Sequence, residues 1–179
     1  MSLIICEGMD NSGKSTLVSK LHEDLDIPII KPPSFNKIWA KGEDAVCDYI
    51  LWLIDLCEQS KNMNFIMDRH PIISTAVYEP VLFGRNNLES HFFWPVLKHE
   101  FEKCQPFIVY CRPSNETIKN FGNRAQMKGV IDHADALINQ YDVIIDNRYY
   151  LKDFCRIFFF DWEEIEEYDI LLNVLRTWL

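Results

Sequence analysis

Gly8-Met9-Asp10-Asn11-Ser12-Gly13-Lys14-Ser15-Thr16 fits G-x-x-x-x-G-K-[ST], the pattern of a phosphate-binding loop. The flanks supply the context this chemistry needs. Leu3-Ile4-Ile5-Cys6 is a short apolar run that reads as a buried strand. Behind the loop, Leu17, Leu21 and Leu25 recur every fourth residue with Val18 beside them, which is the apolar face of a helix. Two glycines let the backbone curl so that successive N–H groups point at phosphate oxygens. The helix adds its unpaired N-terminal amides and the positive end of its dipole. In such a loop Lys14 reaches the β- and γ-phosphates and Ser15 binds Mg²⁺, while Gly8, Asn11, Ser12, Gly13 and Thr16 complete the cradle. A nucleotide with Mg²⁺ is the expected ligand. A chance glycine-rich turn before a helix is the alternative, and the strand and helix on either side argue against it.

Outward from the loop, apolar strand runs alternate with helical periodicity. Ile27-Pro28-Ile29-Ile30 reads as a second strand, stopped by the prolines of Lys31-Pro32-Pro33-Ser34. Glu43 to Gln59 follows helical spacing through Val46, Tyr49, Ile50, Leu53 and Cys57. Asn64 to Met67 is a third strand that delivers Asp68-Arg69-His70-Pro71. Pro71 suits the first turn of a helix to about Glu79, which Pro80 should end or kink. Gly84 to Asn87 reads as a turn and Leu88 to Lys103 as a helix, with Pro95 bending it or in its first turn. Pro106 to Cys111 is a fourth strand, followed by Arg112 and a short helix capped by Ser114 that ends near Gly122. Asn123 to Lys128 is polar and suits a mobile cover. Val130 to Ile145 has a helical face, and Arg156 to Phe160 is a fifth strand. Asp161 and Glu164 suit the cap of a last helix reaching Leu179, and the neighbouring glutamates read as its solvated face. This alternation predicts an α/β fold, a parallel sheet with helices on both faces. Ligands then bind beyond the carboxyl ends of the strands, where Gly8, Asp68 and Arg112 all fall.

The 179 residues suit one domain spanning 1–179, with a lid at about 120–130. A hydrophobic content of 48% supports a packed core. The net charge of −9 argues against a general nucleic-acid surface, and no stable nucleic-acid partner is expected. Six scattered cysteines without a C-x-x-C pair point to reduced thiols in a cytoplasm. The apolar N-terminal run is too short for a signal peptide, and no run approaches the roughly 20 residues of a membrane span.

Two stretches carry a resemblance. Glu7 to Thr16 resembles the E-G-x-D-G-x-G-K-S-T of thymidylate kinases, and Asp68 to Tyr78 is similar to their D-R-[YH] segment with its following S-T and A-Y. The resemblance implies a five-stranded parallel sheet in a three-layer P-loop kinase sandwich. It also implies ATP, Mg²⁺ and γ-phosphoryl transfer to a deoxynucleoside monophosphate. The chain is short for the family, which suits a compact viral member working in the host cytoplasm. Asp68 can hold Mg²⁺ through water, or simply cap a helix. Arg69 can fork onto the acceptor phosphate, or form an internal ion pair with Asp68 or Glu7. By resemblance, Asp10 takes the sugar 3′-hydroxyl and Arg124 is the catalytic lid arginine, with Lys128 and Arg112 in reserve. Phe35, Tyr49, Trp52 and Tyr78 are candidates for the base and sugar slot, although Tyr49 and Trp52 read equally as core. Lys31 is a candidate for the acceptor phosphate. A dimer through the Phe92-Phe93-Trp94 helix follows by analogy.

The departures matter too. Lys31-Pro32-Pro33-Ser34 stands where the family has R-E-P-G-G, and Glu43 to Gln59 holds no arginine to read thymine. Asp68 to Ile72 also resembles the D-R-H-P-I of herpesvirus thymidine kinases, so a deoxynucleoside kinase is the rival. A nucleoside hydroxyl needs a carboxylate base just after the second strand, where Lys31-Pro32-Pro33 stands. A monophosphate needs cations, which Lys31 and Arg69 offer. A kinase of a hydroxymethylated base in DNA and a non-catalytic nucleotide switch are lesser alternatives.

Overall fold

A computed structural model describes residues 2–84, 93–120, 129–146, 151 and 153–179, with backbone alone at 35, 36, 93, 115 and 119. The strands are β1 (Leu3–Glu7), β2 (Ile29–Ile30), β3 (Phe65–Asp68), β4 (Phe107–Cys111) and β5 (Arg156–Phe160). The helices are α1 (Lys14–Leu25), α2 (Phe35–Trp39), α3 (Glu43–Gln59), α4 (Pro71–Phe83), α5 (Phe93–Cys104), α6 (Asn115–Asn120), α7 (Ala134–Asp146) and α8 (Glu167–Trp178).

The strands form one parallel sheet in the order β2-β3-β1-β4-β5. β1 is central, with Cys6 opposite Asp68 on one side and Glu7 opposite Tyr110 on the other. The chain winds both ways from β1, so a crevice opens beyond its carboxyl end. Side chains alternate across the sheet. Leu3 and Ile5 face a cluster with Leu53, Ile73, Phe101 and Tyr141, while Ile4 and Cys6 face Leu17, Leu21, Leu171 and Leu175. Helices therefore cover both faces, and the predicted three layers are present.

Several boundaries differ from expectation. β2 is only Ile29–Ile30. α2 was not predicted, because five residues carry too little periodicity to read. α7 starts at Ala134, later than its apolar spacing suggested. α8 starts at Glu167 rather than near Asp161. Asp161 Oδ1 accepts the Glu163 N–H at 3.0 Å, a local turn that delays the helix. α4 continues past Pro80 to Phe83, so that proline does not end it. Pro80 has no N–H for the Ala76 carbonyl one turn back, and Gln140 Nε2 of α7 donates to that carbonyl at 3.3 Å. Gly84 caps the end of α4 at φ 57°, and the rest of the turn expected at 84–87 and the start of the helix expected from 88 lie outside the described residues. Pro95 sits in the first turn of α5. Ser114 caps α6 as expected, its hydroxyl accepting the Thr117 N–H at 3.2 Å. Among the described residues, no helix is long and apolar enough to cross a membrane.

Candidate active site

The ends of β1, β3 and β4 bring the motif residues together. Gly8 leaves β1 at φ 143°, and a Cβ there would lie 2.6 Å from Ser12 Oγ and 2.7 Å from the Cys111 carbonyl oxygen. Only glycine lets the loop turn so tightly against β4. Asn11 continues the curl at φ 68°. Gly13 stands before α1 at φ 81°, where a Cβ would lie 2.5 Å from the Trp162 ring. The Ser12 hydroxyl is buried with no protein partner among the described residues. A polar orphan inside a glycine-built cradle fits a polyphosphate. Lys14 opens α1 and is buried, whereas Ser15 and Thr16 are exposed.

Two cations converge on Asp68. Lys14 donates to one carboxylate oxygen, and Lys31 Nζ lies 3.2 Å from the other. Burial is the largest single influence and pushes the Asp68 carboxyl up, but Lys14 and Lys31 together outweigh it and hold the group below the usual range. Arg69 follows in left-handed conformation at φ 72°. Its Nη2 donates to Asp10 Oδ1 at 2.6 Å, and its Nη1 donates to the Tyr78 hydroxyl at 2.9 Å. That hydroxyl also accepts the Asp10 N–H at 3.1 Å. The internal ion pair of Arg69 is therefore with Asp10, not with Asp68 or Glu7. Asp68 and Arg69 are successive residues at a strand end, so their side chains diverge.

Beneath this layer lies Glu7, fully buried at the end of β1. Its Oε1 accepts the His70 N–H at 2.5 Å, and its Oε2 lies 3.3 Å from the Tyr141 hydroxyl and 3.4 Å from Ser74 Oγ. Burial pushes the Glu7 carboxyl up to about 7 against the pull of Arg69. Tyr141 reaches this point from α7 and was missed in the sequence, where it read only as one position of an apolar face.

Three hollows surround the crevice. One of about 350 Å³ follows the loop and includes Lys14 and Arg69. A second of about 290 Å³ is bounded by Asp10, Pro33, Arg69, Ser74, Thr75 and Tyr78. A third of about 440 Å³ opens on the far side of Gly13, between Phe160, Trp162 and Tyr168. Lys20 borders it, with its ammonium 3.4 Å from the centre of the Tyr168 ring. The sequence signal for this hollow was a tryptophan set in an acidic stretch just after a strand end.

No protein-family model and no curated protein sequence matches the chain. Solved structures do. The YorR protein from Bacillus subtilis, solved in complex with phosphorylated GDP, superposes with a TM-score of 0.72 at 22% identity, over 99% of this chain and 95% of that one. Deoxyadenosine kinase from M. mycoides with bound dATP gives 0.62 at 20% identity, over 98% and 100%. Thymidylate kinase from Candida albicans gives 0.65 at 19%, over 98% and 91%. The chain shares the fold of these three structures.

Tyr49 is buried on α3, donates its hydroxyl to the Pro33 carbonyl at 2.6 Å and stacks on Trp52 at 5.5 Å. It stands behind the Pro33 wall rather than in the hollow, and Trp52 is partly exposed beside it. Phe35 begins α2, but its side chain lies outside the described residues, as do Arg124 and Lys128 altogether. Arg112 forks onto Asp142 of α7 at 3.0 Å through both Nε and Nη2, and Tyr110 donates to the same carboxylate. That reserve cation is therefore already engaged.

Proposed function

We propose that the chain transfers the γ-phosphoryl group of ATP to the phosphate of a deoxynucleoside 5′-monophosphate. The P–O bond to the departing ADP breaks, and a new bond forms to an acceptor phosphate oxygen. The observation that carries this reading is the charge of the acceptor-side hollow. It abuts the phosphate loop and holds the Arg69 guanidinium. Its two carboxylates are both engaged by cations, Asp10 by Arg69 and Asp68 by Lys14 and Lys31. A nucleoside hydroxyl needs an uncommitted base, whereas a phosphate needs positive charge. The M. mycoides deoxyadenosine kinase shares the fold, so the fold does not choose between acceptors, and the reading rests on this charge.

The work of the protein in such a transfer is positioning and charge stabilisation. The loop amides and the α1 terminus cradle the polyphosphate. Lys14, on its flexible stem, swings from Asp68 to the β- and γ-phosphate oxygens. Ser15 and Asp68 would hold Mg²⁺, which neutralises charge on the transferring group. Arg69 forks onto the acceptor phosphate, Lys31 lends it further charge, and Asp10 takes the sugar 3′-hydroxyl beside Tyr78. Arg124 covers the transferring group from the 120–130 stretch. The aromatic hollow beside Gly13 has the shape and chemistry for the base of the donor. The net charge of −9 counts against DNA as acceptor.

The test is coupled ADP release with ATP and Mg²⁺ against nucleosides, deoxynucleoside monophosphates and hydroxymethyluracil-containing DNA. Turnover with one or more monophosphates and none with nucleosides is expected. Turnover with nucleosides alone would overturn the reading.

A further inference from the structure

We propose that Glu7, which by sequence belongs to the donor loop, is a positioning residue for the acceptor side. The proposal rests on Arg69 holding the acceptor phosphate. Arg69 carries a large side chain at φ 72°, a conformation that L-residues adopt at some cost and keep only when neighbours hold it. Two backbone bonds bracket it. The Arg69 N–H donates to the Cys6 carbonyl at 3.0 Å, and the His70 N–H donates to Glu7 Oε1 at 2.5 Å. Together they fix the peptide groups before and after the left-handed residue. The first is ordinary strand pairing. The second depends on one side chain.

The other oxygen of Glu7 extends the same control. Oε2 takes Ser74 Oγ from α4 at 3.4 Å, and Ser74 borders the acceptor-side hollow. It also faces the Tyr141 hydroxyl at 3.3 Å, towards which Arg69 Nη1 points at 3.5 Å. Among the described residues, the side-chain bonds of Glu7 thus reach the His70 amide next to Arg69, Ser74 of the acceptor wall, and Tyr141, whose hydroxyl also lies 3.2 Å from the Gly8 carbonyl oxygen. None, among the described residues, is made to residues 11–16 of the phosphate cradle. In its ionised form the carboxyl suits the position, because two acceptor-only oxygens serve the His70 amide at the start of α4, Ser74 of α4 and Tyr141 of α7. Glutamine keeps an oxygen for the His70 amide but loses the charge. Leucine, of similar size, leaves that amide unpaired in a buried site.

Steady-state kinetics on Glu7→Gln and Glu7→Leu, with donor and acceptor varied separately, test this. Glu7→Gln is expected to raise the acceptor KM about three- to tenfold, the size of one weakened charged hydrogen bond. Glu7→Leu is expected to raise it further, and both should leave the ATP KM within about twofold. Should Glu7→Leu fail to fold, Glu7→Gln decides through a double-mutant cycle. Its effect on acceptor KM should vanish on an Arg69→Ala background, because a residue acting through Arg69 has nothing left to position. Equal shifts in both KM values, or an effect that survives loss of Arg69, would overturn the proposal. Parent turnover with nucleosides alone would remove it together with the monophosphate reading. Parent turnover with a monophosphate and an unselective Glu7 effect would remove this proposal alone.

Discussion

His70 Nε2 and Glu100 Oε2 lie 3.6 Å apart in the core behind Arg69, yet the contact is not an ion pair at neutral pH. Burial pulls His70 down to about 3 and pushes Glu100 up to about 8, so both are neutral near pH 7. The two act on stability in opposite senses. The unfolded chain binds a proton on His70 that the native state refuses, so stability is lost as pH falls from 6.5 to about 3. Glu100 holds its proton more tightly when folded, so its contribution is lost as pH rises from 4.5 to about 8. Glu7 adds a loss of the same sign between 4.5 and about 7. Glu100→Gln should therefore flatten the alkaline decline. In urea unfolding, its advantage over the parent should grow from about pH 5 to about pH 8, and parallel pH profiles would count against the assignment. None of this was legible in the sequence. Glu100 sits in an ordinary charged stretch, Lys98-His99-Glu100, and only the packing of α5 turns it inward. Asp10, Asp68 and Arg69 were legible, because motif spacing ties each to a strand end.

At the scale of the elements, α7 does more than its sequence suggests. Three successive residues reach four partners: Gln140 the Ala76 carbonyl, Tyr141 the Glu7 and Gly8 oxygens, and Asp142 the Arg112 guanidinium. Its apolar face, from Ala134 through Leu137 and Ile138 to Tyr141 and Ile145, followed from periodicity. Its polar contacts did not, since they depend on which helix lies across from it. The Gln140 contact explains why Pro80 leaves α4 intact. Gln140→Ala is expected to cost about 1–2 kcal/mol, the penalty of a carbonyl left short of its donor. In a Pro80→Ala background the residue-80 amide takes over that carbonyl, and the cost should fall close to zero. A double-mutant cycle in urea measures the coupling, and additive effects would show that Gln140 does not serve this carbonyl.

In the whole molecule, two apolar clusters share one sheet, so neither can melt without exposing the other's strands. Unfolding should be a single step. Trp178 packs on Phe107 at 5.2 Å on one face and Trp94 lies against the other cluster, so fluorescence samples both. Its urea transition should coincide with that from circular dichroism, and separated midpoints would mean two units. Saturation with ATP and Mg²⁺ at about 100 times Kd should add about 2.7 kcal/mol if the native state alone binds. Thymidylate-kinase-like dimerisation stays a proposal, because Phe92 and the Phe93 side chain lie outside the described residues.

The sequence by itself determined the layered α/β plan, the phosphate loop and the arrival of Asp68 and Arg69 at strand ends. Strand and helix periods and glycine spacing are local properties, and in a parallel sheet they suffice to place those ends together. Only the tertiary structure decided which charges pair, with Asp10 taking Arg69 and Asp68 taking both lysines. It alone set Trp162 against Gly13 and Gln140 against Ala76, and it placed Tyr141 and the His70 amide on Glu7. These contacts join residues far apart in the chain through burial and side-chain direction, which no local pattern encodes.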